Sequence, residues 1–154
     1  DPVHPDFTYL RQVYLLSDPE YNGKITVPVL FDKQTQKIVN NESSEIIRML
    51  NSEFNQFAKN PSLDLYPEHL RDKIDEVNSW VYEHINNGVY KCGFARSQEA
   101  YDKAYNDLFS SLDRAEEILS KQRYLAGNQL TEADVRLWTT LIRFDPVYVG
   151  KYYS

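Results

Sequence analysis

Two short stretches carry residues that could act on a ligand together. Thr26-Val27-Pro28-Val29-Leu30 sets a proline inside an apolar β run, which is costly unless it marks a strand edge or a cis bond. A cis bond before Pro28 would turn the Val27 amide and carbonyl outward, where an extended peptide can pair with them. Downstream, Ile38-Val39-Asn40-Asn41-Glu42-Ser43-Ser44 brings Glu42-Ser43 to a strand-to-helix junction. Helix N–H groups there favour a bound carboxylate. Helix capping alone would account for Glu42-Ser43. With the Val-Pro strand upstream, the two stretches read as a site for a small peptide with a free α-carboxylate.

The other polar candidates are weaker. His4, His69 and His84 have no ligand spacing, and no cluster of cysteines or carboxylates completes a metal site, so no metal is expected. Cys92 is the one cysteine, which excludes an internal disulfide framework and fits a reducing compartment. It is read as lying in a loop after a helix, beside Lys91, which could lower its pKa. An ordinary thiol near the pocket or core is the preferred reading. Asn41-Glu42-Ser43 matches a glycosylation sequon, but in a reducing compartment that match is accidental.

Composition bounds the function further. The 154 residues are 42% hydrophobic and 26% charged, as in a soluble globular protein. The formal net charge of −6, without a Lys/Arg cluster, gives no footprint for nucleic acid. No run approaches the roughly 20 apolar residues that span a bilayer. The 12 tyrosines and 7 phenylalanines could line a pocket for an aromatic ligand, although most should pack between helices.

These residues need elements to position them. Tyr9, Leu10, Val13, Tyr14 and Leu16 predict a short helix, stopped by Ser17-Asp18-Pro19. Ile25 to Phe31 and Lys37 to Asn40 predict an antiparallel hairpin around a polar turn. A helix follows from about Ser44, with Ile46, Ile47, Leu50, Phe54 and Phe57 on one stripe. The two prolines of 60–67 mark a linker. Beyond it the chain reads as helical. Leu70, Ile74, Val77, Val81 and Ile85 form one stripe, with Asn86-Asn87-Gly88 as its stop. Tyr101, Tyr105, Leu108, Leu112, Ala115 and Leu119 form a longer seam. Thr131 and Asp134 read as a capping box, with Leu130 and Val135 as a hydrophobic staple. Asp145-Pro146 should end that last helix.

An incomplete thioredoxin-like part, a proline linker and an all-helical part resemble a glutathione transferase. The wording of residues 40–50, 86–95 and 143–148 is similar to that of glutathionyl-hydroquinone reductases, the xi class, near the omega-like enzymes. The resemblance implies an α+β/α chain. A partial thioredoxin-like, glutathione-binding domain would cover 1–59, a linker 60–66 and a helical domain 67–154. It implies that Val27 and Pro28 pair with the glutathione backbone, that Glu42 and Ser43 hold its γ-glutamyl end, and that Tyr90 and Tyr148 line the aromatic-substrate pocket. Glutathione would be a co-substrate, the protein a cytoplasmic homodimer, and the reaction the release of hydroquinone from its glutathionyl adduct.

The family's nucleophile is a cysteine in a Cys-Pro-Trp motif, which residues 1–154 do not contain. The resemblance therefore implies a nucleophilic cysteine upstream of Asp1, and a 154-residue chain that is inactive by itself. A non-catalytic binding or interaction module with the same fold is the alternative.

Overall fold

The computed structural model describes residues 3–150 and divides into two compact units, Asp1–Leu63 and Asp64–Ser154. The first unit opens with α1 (Leu10–Ser17), whose start is closed by Gln12: its side-chain oxygen accepts the N–H groups of Thr8 and Tyr9, both at 2.8 Å. Two strands follow, β1 (Leu30–Asp32) and β2 (Lys37–Asn40), antiparallel, with an irregularity between Leu30 and Phe31. Asp32 organises the turn by accepting from the Gln34 amide and the Thr35 hydroxyl, each at 2.8 Å. These donors hold its carboxyl below the usual range. The first strand is shorter than the β-rich run 25–31 predicts, because 25–29 are irregular and make no ladder. Helix α2 (Ser43–Ser52) ends before the predicted stripe does: Phe54 and Phe57 lie in a turn and a 3₁₀ segment, and both are exposed.

The second unit is helical. Helix α3 (Arg71–Trp80) runs into a π-helical turn (Val81–Asn86), then α4 (Gly88–Gly93), α5 (Gln98–Lys121), α6 (Glu132–Arg143) and a second π-helical turn (Phe144–Val149). The stripe holds from Ile74 on: Leu70 lies in a 3₁₀ segment (Glu68–Leu70) and is half-buried, whereas Ile74, Val77, Val81 and Ile85 are essentially inaccessible. They join Leu108, Val89, Leu125, Ala133 and Leu137 in one apolar core. The α5 seam is narrower than predicted. Leu108 and Ala115 are buried, but Tyr105 and Leu119 are exposed, and Ala104 supplies a buried position instead.

Two predicted stops are corrected. Asn86-Asn87-Gly88 does not end the helical path; Gly88 opens α4. A Cβ on Gly88 would stand 3.4 Å from Cδ1 of Leu108, an ordinary contact distance, so Gly88 lies directly against α5. Pro146 does not end the path after α6 either, because 144–149 widen into a π turn. The wider turn changes the i−4 pairing in which proline, lacking an N–H, cannot take part.

Buried polar groups set the register of the core. Asn78 donates to the buried Glu132 carboxylate at 2.7 Å, and Asn86 to the Thr140 hydroxyl at 2.7 Å. The two pairs are equally spaced along the 71–86 helical path and along α6, so these segments run parallel. The capping box of α6 forms as expected. Asp134 accepts from the Thr131 N–H at 2.9 Å and from the Leu125 N–H at 2.8 Å, tying the preceding loop to the helix. The staple residues Leu130 and Val135 remain partly exposed.

Candidate functional site

In the first unit, the two predicted contact pairs hang from one side chain. Tyr14, on α1, is 2% exposed. Its hydroxyl donates to the Thr26 carbonyl at 2.8 Å and accepts from the Asn41 amide at 3.2 Å. That same amide reaches Thr26 Oγ1 at 3.3 Å. Thr26 directly precedes Val27-Pro28, and Asn41 directly precedes Glu42-Ser43. Burial pushes the Tyr14 phenol up, but hydrogen bonding with Thr26 and Asn41 outweighs it, and the pKa is lowered. The ring of Tyr21 lies 4.9 Å from that of Tyr14, and its hydroxyl donates to Lys24 O at 2.8 Å, fixing the approach to Thr26.

Val27 itself is 77% exposed, and its backbone makes no hydrogen bond among the described residues. The Val27–Pro28 bond is cis, as expected. At the other pair, capping does not consume the side chains. Glu42 is the N-cap of α2 with no side-chain cap bond, and Ser43 is the first helical residue. The Glu42 amide is taken by Asn40 Oδ1 at 2.7 Å. The Glu42 carboxylate and the Ser43 hydroxyl carry no hydrogen bond among the described residues. A positive helix terminus thus presents an unspent hydroxyl and carboxylate, which suits a ligand carrying both a carboxylate and an ammonium. The sequon's Asn41 is occupied by Tyr14 and Thr26.

Tyrosines dominate the second unit's candidate site. Tyr90 lies on α4 and Tyr148 in the second π turn, and their rings meet edge to face at 5.8 Å. Tyr148 is 6% exposed and Tyr90 45%. The Tyr90 hydroxyl has no hydrogen bond among the described residues, so it can donate to a ligand oxygen. Phe94, at the C-cap of α4, stacks nearly parallel to Tyr90 with centroids 6.4 Å apart and is largely exposed. Each tyrosine adjoins or occupies a π turn, a feature that gathers at functional sites.

Cys92 lies within α4, not in a loop, and is 3% exposed. Lys91 does not act on it: the ammonium pairs with the Glu83 carboxylate, which that hydrogen bond and charge hold below the usual range. Burial first, and Cys92 second, push the neighbouring Tyr101 phenol up. The partner of Lys91 is thus Glu83. No metal-holding group of His, Cys, Asp or Glu occurs among the described residues. No helix there is long and apolar enough to cross a membrane.

Sequence reasoning missed Tyr14, Asn41 and Phe94. The first reads as an apolar-stripe residue and the second as half of a chance sequon. Only the position of Phe94 beside Tyr90, four residues on in a helical segment, could have marked it.

Comparison with known proteins bears on both units. Residues 2–53 match the model of the glutathione S-transferase N-terminal domain, and residues 98–152 that of the C-terminal domain. The chain is 60% identical over 141 residues to glutathionyl-hydroquinone reductase YqjG of Escherichia coli, covering 92% of this chain and 43% of that protein. It is 51% identical over 156 residues to glutathionyl-hydroquinone reductase PcpF of Sphingobium chlorophenolicum, covering 99% and 50%. Among solved structures, the glutathione transferase Xi of Phanerochaete chrysosporium superposes with a TM-score of 0.93 at 57% identity, over 99% of this chain and 52% of that one. The chain thus spans about half the length of the curated relatives it matches. With a two-stranded thioredoxin-like unit and a helical transferase unit both matched, the chain belongs to the glutathione transferase family, alongside its xi-class and glutathionyl-hydroquinone reductase members.

Proposed function

We propose that the protein is a glutathione-dependent reductase that removes glutathione from glutathionyl-hydroquinones, as the names of its relatives describe for them. One observation supports this most: Thr26 and Asn41, which directly precede the exposed Val27 backbone and the unspent Glu42 and Ser43 side chains, are joined through the Tyr14 hydroxyl. Val27 and Pro28 would pair with the peptide backbone of glutathione. Ser43 and the α2 terminus would take the γ-glutamyl carboxylate, and Glu42 its ammonium. In this reading 1–59 is the glutathione-binding domain, 60–66 a linker and 67–154 the helical domain. A cytoplasmic homodimer fits the reading.

The reaction needs a thiolate at the glutathione sulfur. It attacks the adduct sulfur, an S–S bond forms and the carbon–sulfur bond breaks. The displaced electron pair takes a proton at the ring carbon, releasing hydroquinone. A second glutathione thiolate then cleaves the mixed disulfide, giving oxidised glutathione and regenerating the enzyme thiolate. The phenols of Tyr90 and Tyr148 would hydrogen-bond the hydroquinone oxygens as charge develops. Cys92 is buried within α4, so none of residues 1–154 is assigned as the nucleophile.

Glutathione titration of the full-length protein tests the first site. Ser43→Ala and Glu42→Ala should each weaken binding about tenfold or more, since a hydrogen bond to a charged group contributes roughly 1.5–3 kcal/mol. Unchanged affinity in folded variants returns the pair to helix capping. Tyr90→Phe and Tyr148→Phe should lower turnover with glutathione affinity nearly intact. Reductase activity from residues 1–154 alone, abolished by Cys92→Ser, would show that the nucleophile lies in α4 after all.

A further inference from the structure

Tyr14 belongs to neither contact pair, yet its hydroxyl bonds the residue beside each. We propose that Tyr14 is a positioning residue of the glutathione site, holding Val27-Pro28 and Glu42-Ser43 in one frame so that a single peptide engages both. The proposal rests on the reading of those four residues given above.

The reason is how little else fixes them. Residues 18–29 form no strand or helix. The 24–26 stretch is tied back by Tyr21 to Lys24 O and by Tyr14 to Thr26 O, each at 2.8 Å. On the other side, Asn41 bridges the end of β2 and the start of α2, and its amide rests on the same phenol at 3.2 Å. The aromatic ring is rigid and buried, so a displacement of α1 moves both pairs together. Packing alone would be served by phenylalanine; the hydroxyl adds a direct bond to each side. Without it, the 3.3 Å bond from Asn41 to Thr26 Oγ1 still links the two sides. Removing the hydroxyl should therefore loosen the frame without unfolding it.

Titration of glutathione into the full-length protein, alongside thermal unfolding, tests this. Tyr14→Phe should raise the Kd about five- to tenfold, the size expected when one hydrogen bond is lost. Asn41→Ala should do the same, and the double variant should cost less than the sum, because both remove one network. Ile46→Val, at the unit's other buried position, should lower the melting temperature with the Kd unchanged. A Tyr14→Phe Kd within twofold of the parent overturns the proposal, as does an equal Kd rise from Ile46→Val. Should Tyr14→Phe fail to fold, Asn41→Ala decides by the same criterion. If Glu42→Ala and Ser43→Ala bind as tightly as the parent, the glutathione reading itself fails and takes the proposal with it. If those two weaken binding and Tyr14→Phe does not, only the role of Tyr14 is rejected.

Discussion

The two units are held together by different physics. In 3–63, the buried residues are Tyr14 and Ile46, and order comes from polar links such as Tyr14 to Thr26, Ser17 to the Ile38 amide at 2.8 Å, and Asp32 within the hairpin turn. In 64–150, a continuous apolar core from Ile74 to Tyr148 carries the structure, and polar pairs such as Asn78–Glu132 set register within it. The difference matches what each part is proposed to bind. A peptide is read by backbone and carboxylate hydrogen bonds, which directional links position well. An aromatic ring is read by stacked and edge-on rings, which a packed helical core holds in place.

Stability measurements can break this contrast. Both tryptophans of residues 1–154, Trp80 and Trp138, lie in the helical unit, so in a protein of these residues tryptophan fluorescence reports that unit. Leu108→Ala should have the largest effect, destabilising the unit by about 2–5 kcal/mol in denaturant unfolding, as for other fully buried leucines. Gly88→Val comes next at about 1–3 kcal/mol, because its side chain must enter the contact between α4 and Leu108. Gly88→Ala should cost less, since a Cβ there meets Leu108 at ordinary contact distance and alanine favours helix.

Asp134→Ala should cost about 1 kcal/mol through the lost cap, with an added loss at the Leu125 amide, and should leave glutathione affinity unchanged. The smallest effect is expected at Phe57→Ala in the first unit. Its ring is exposed, so the change should stay within about 0.5 kcal/mol by far-ultraviolet circular dichroism. A cost above about 1 kcal/mol there would show an apolar contribution in the first unit that the polar account omits.

Patterns with strong local causes were legible in the sequence. The stripe of Ile74, Val77, Val81 and Ile85 is a helical period with a single face to bury, and it became the core. Thr131 with Asp134 is a cap whose partners lie three residues apart, so it formed without tertiary help. The hairpin followed from its polar turn, although β1 came out shorter because residues 25–29 find no pairing partner. Family membership was also readable, since long motifs such as 40–50 and 86–95 are local strings.

Tertiary structure decided what depends on neighbours distant in sequence. Gly88 looks like a helix stop until Leu108 is seen against it, and Pro146 looks like a terminus until the turn around it widens. Lys91 lies beside Cys92 in sequence and could lower its pKa, although an ordinary thiol is the preferred reading. In space the lysine answers Glu83 and the thiol is buried in α4. Tyr14 shows the same limit most clearly. Residues 14, 26 and 41 share no spacing that a local rule detects, and they meet only because α1, the 18–29 loop and the β2–α2 junction converge on one hydroxyl. Helical period, caps and turns are set within a few residues by the chain itself. Close packing and shared hydrogen bonds are set by which surfaces the fold brings together.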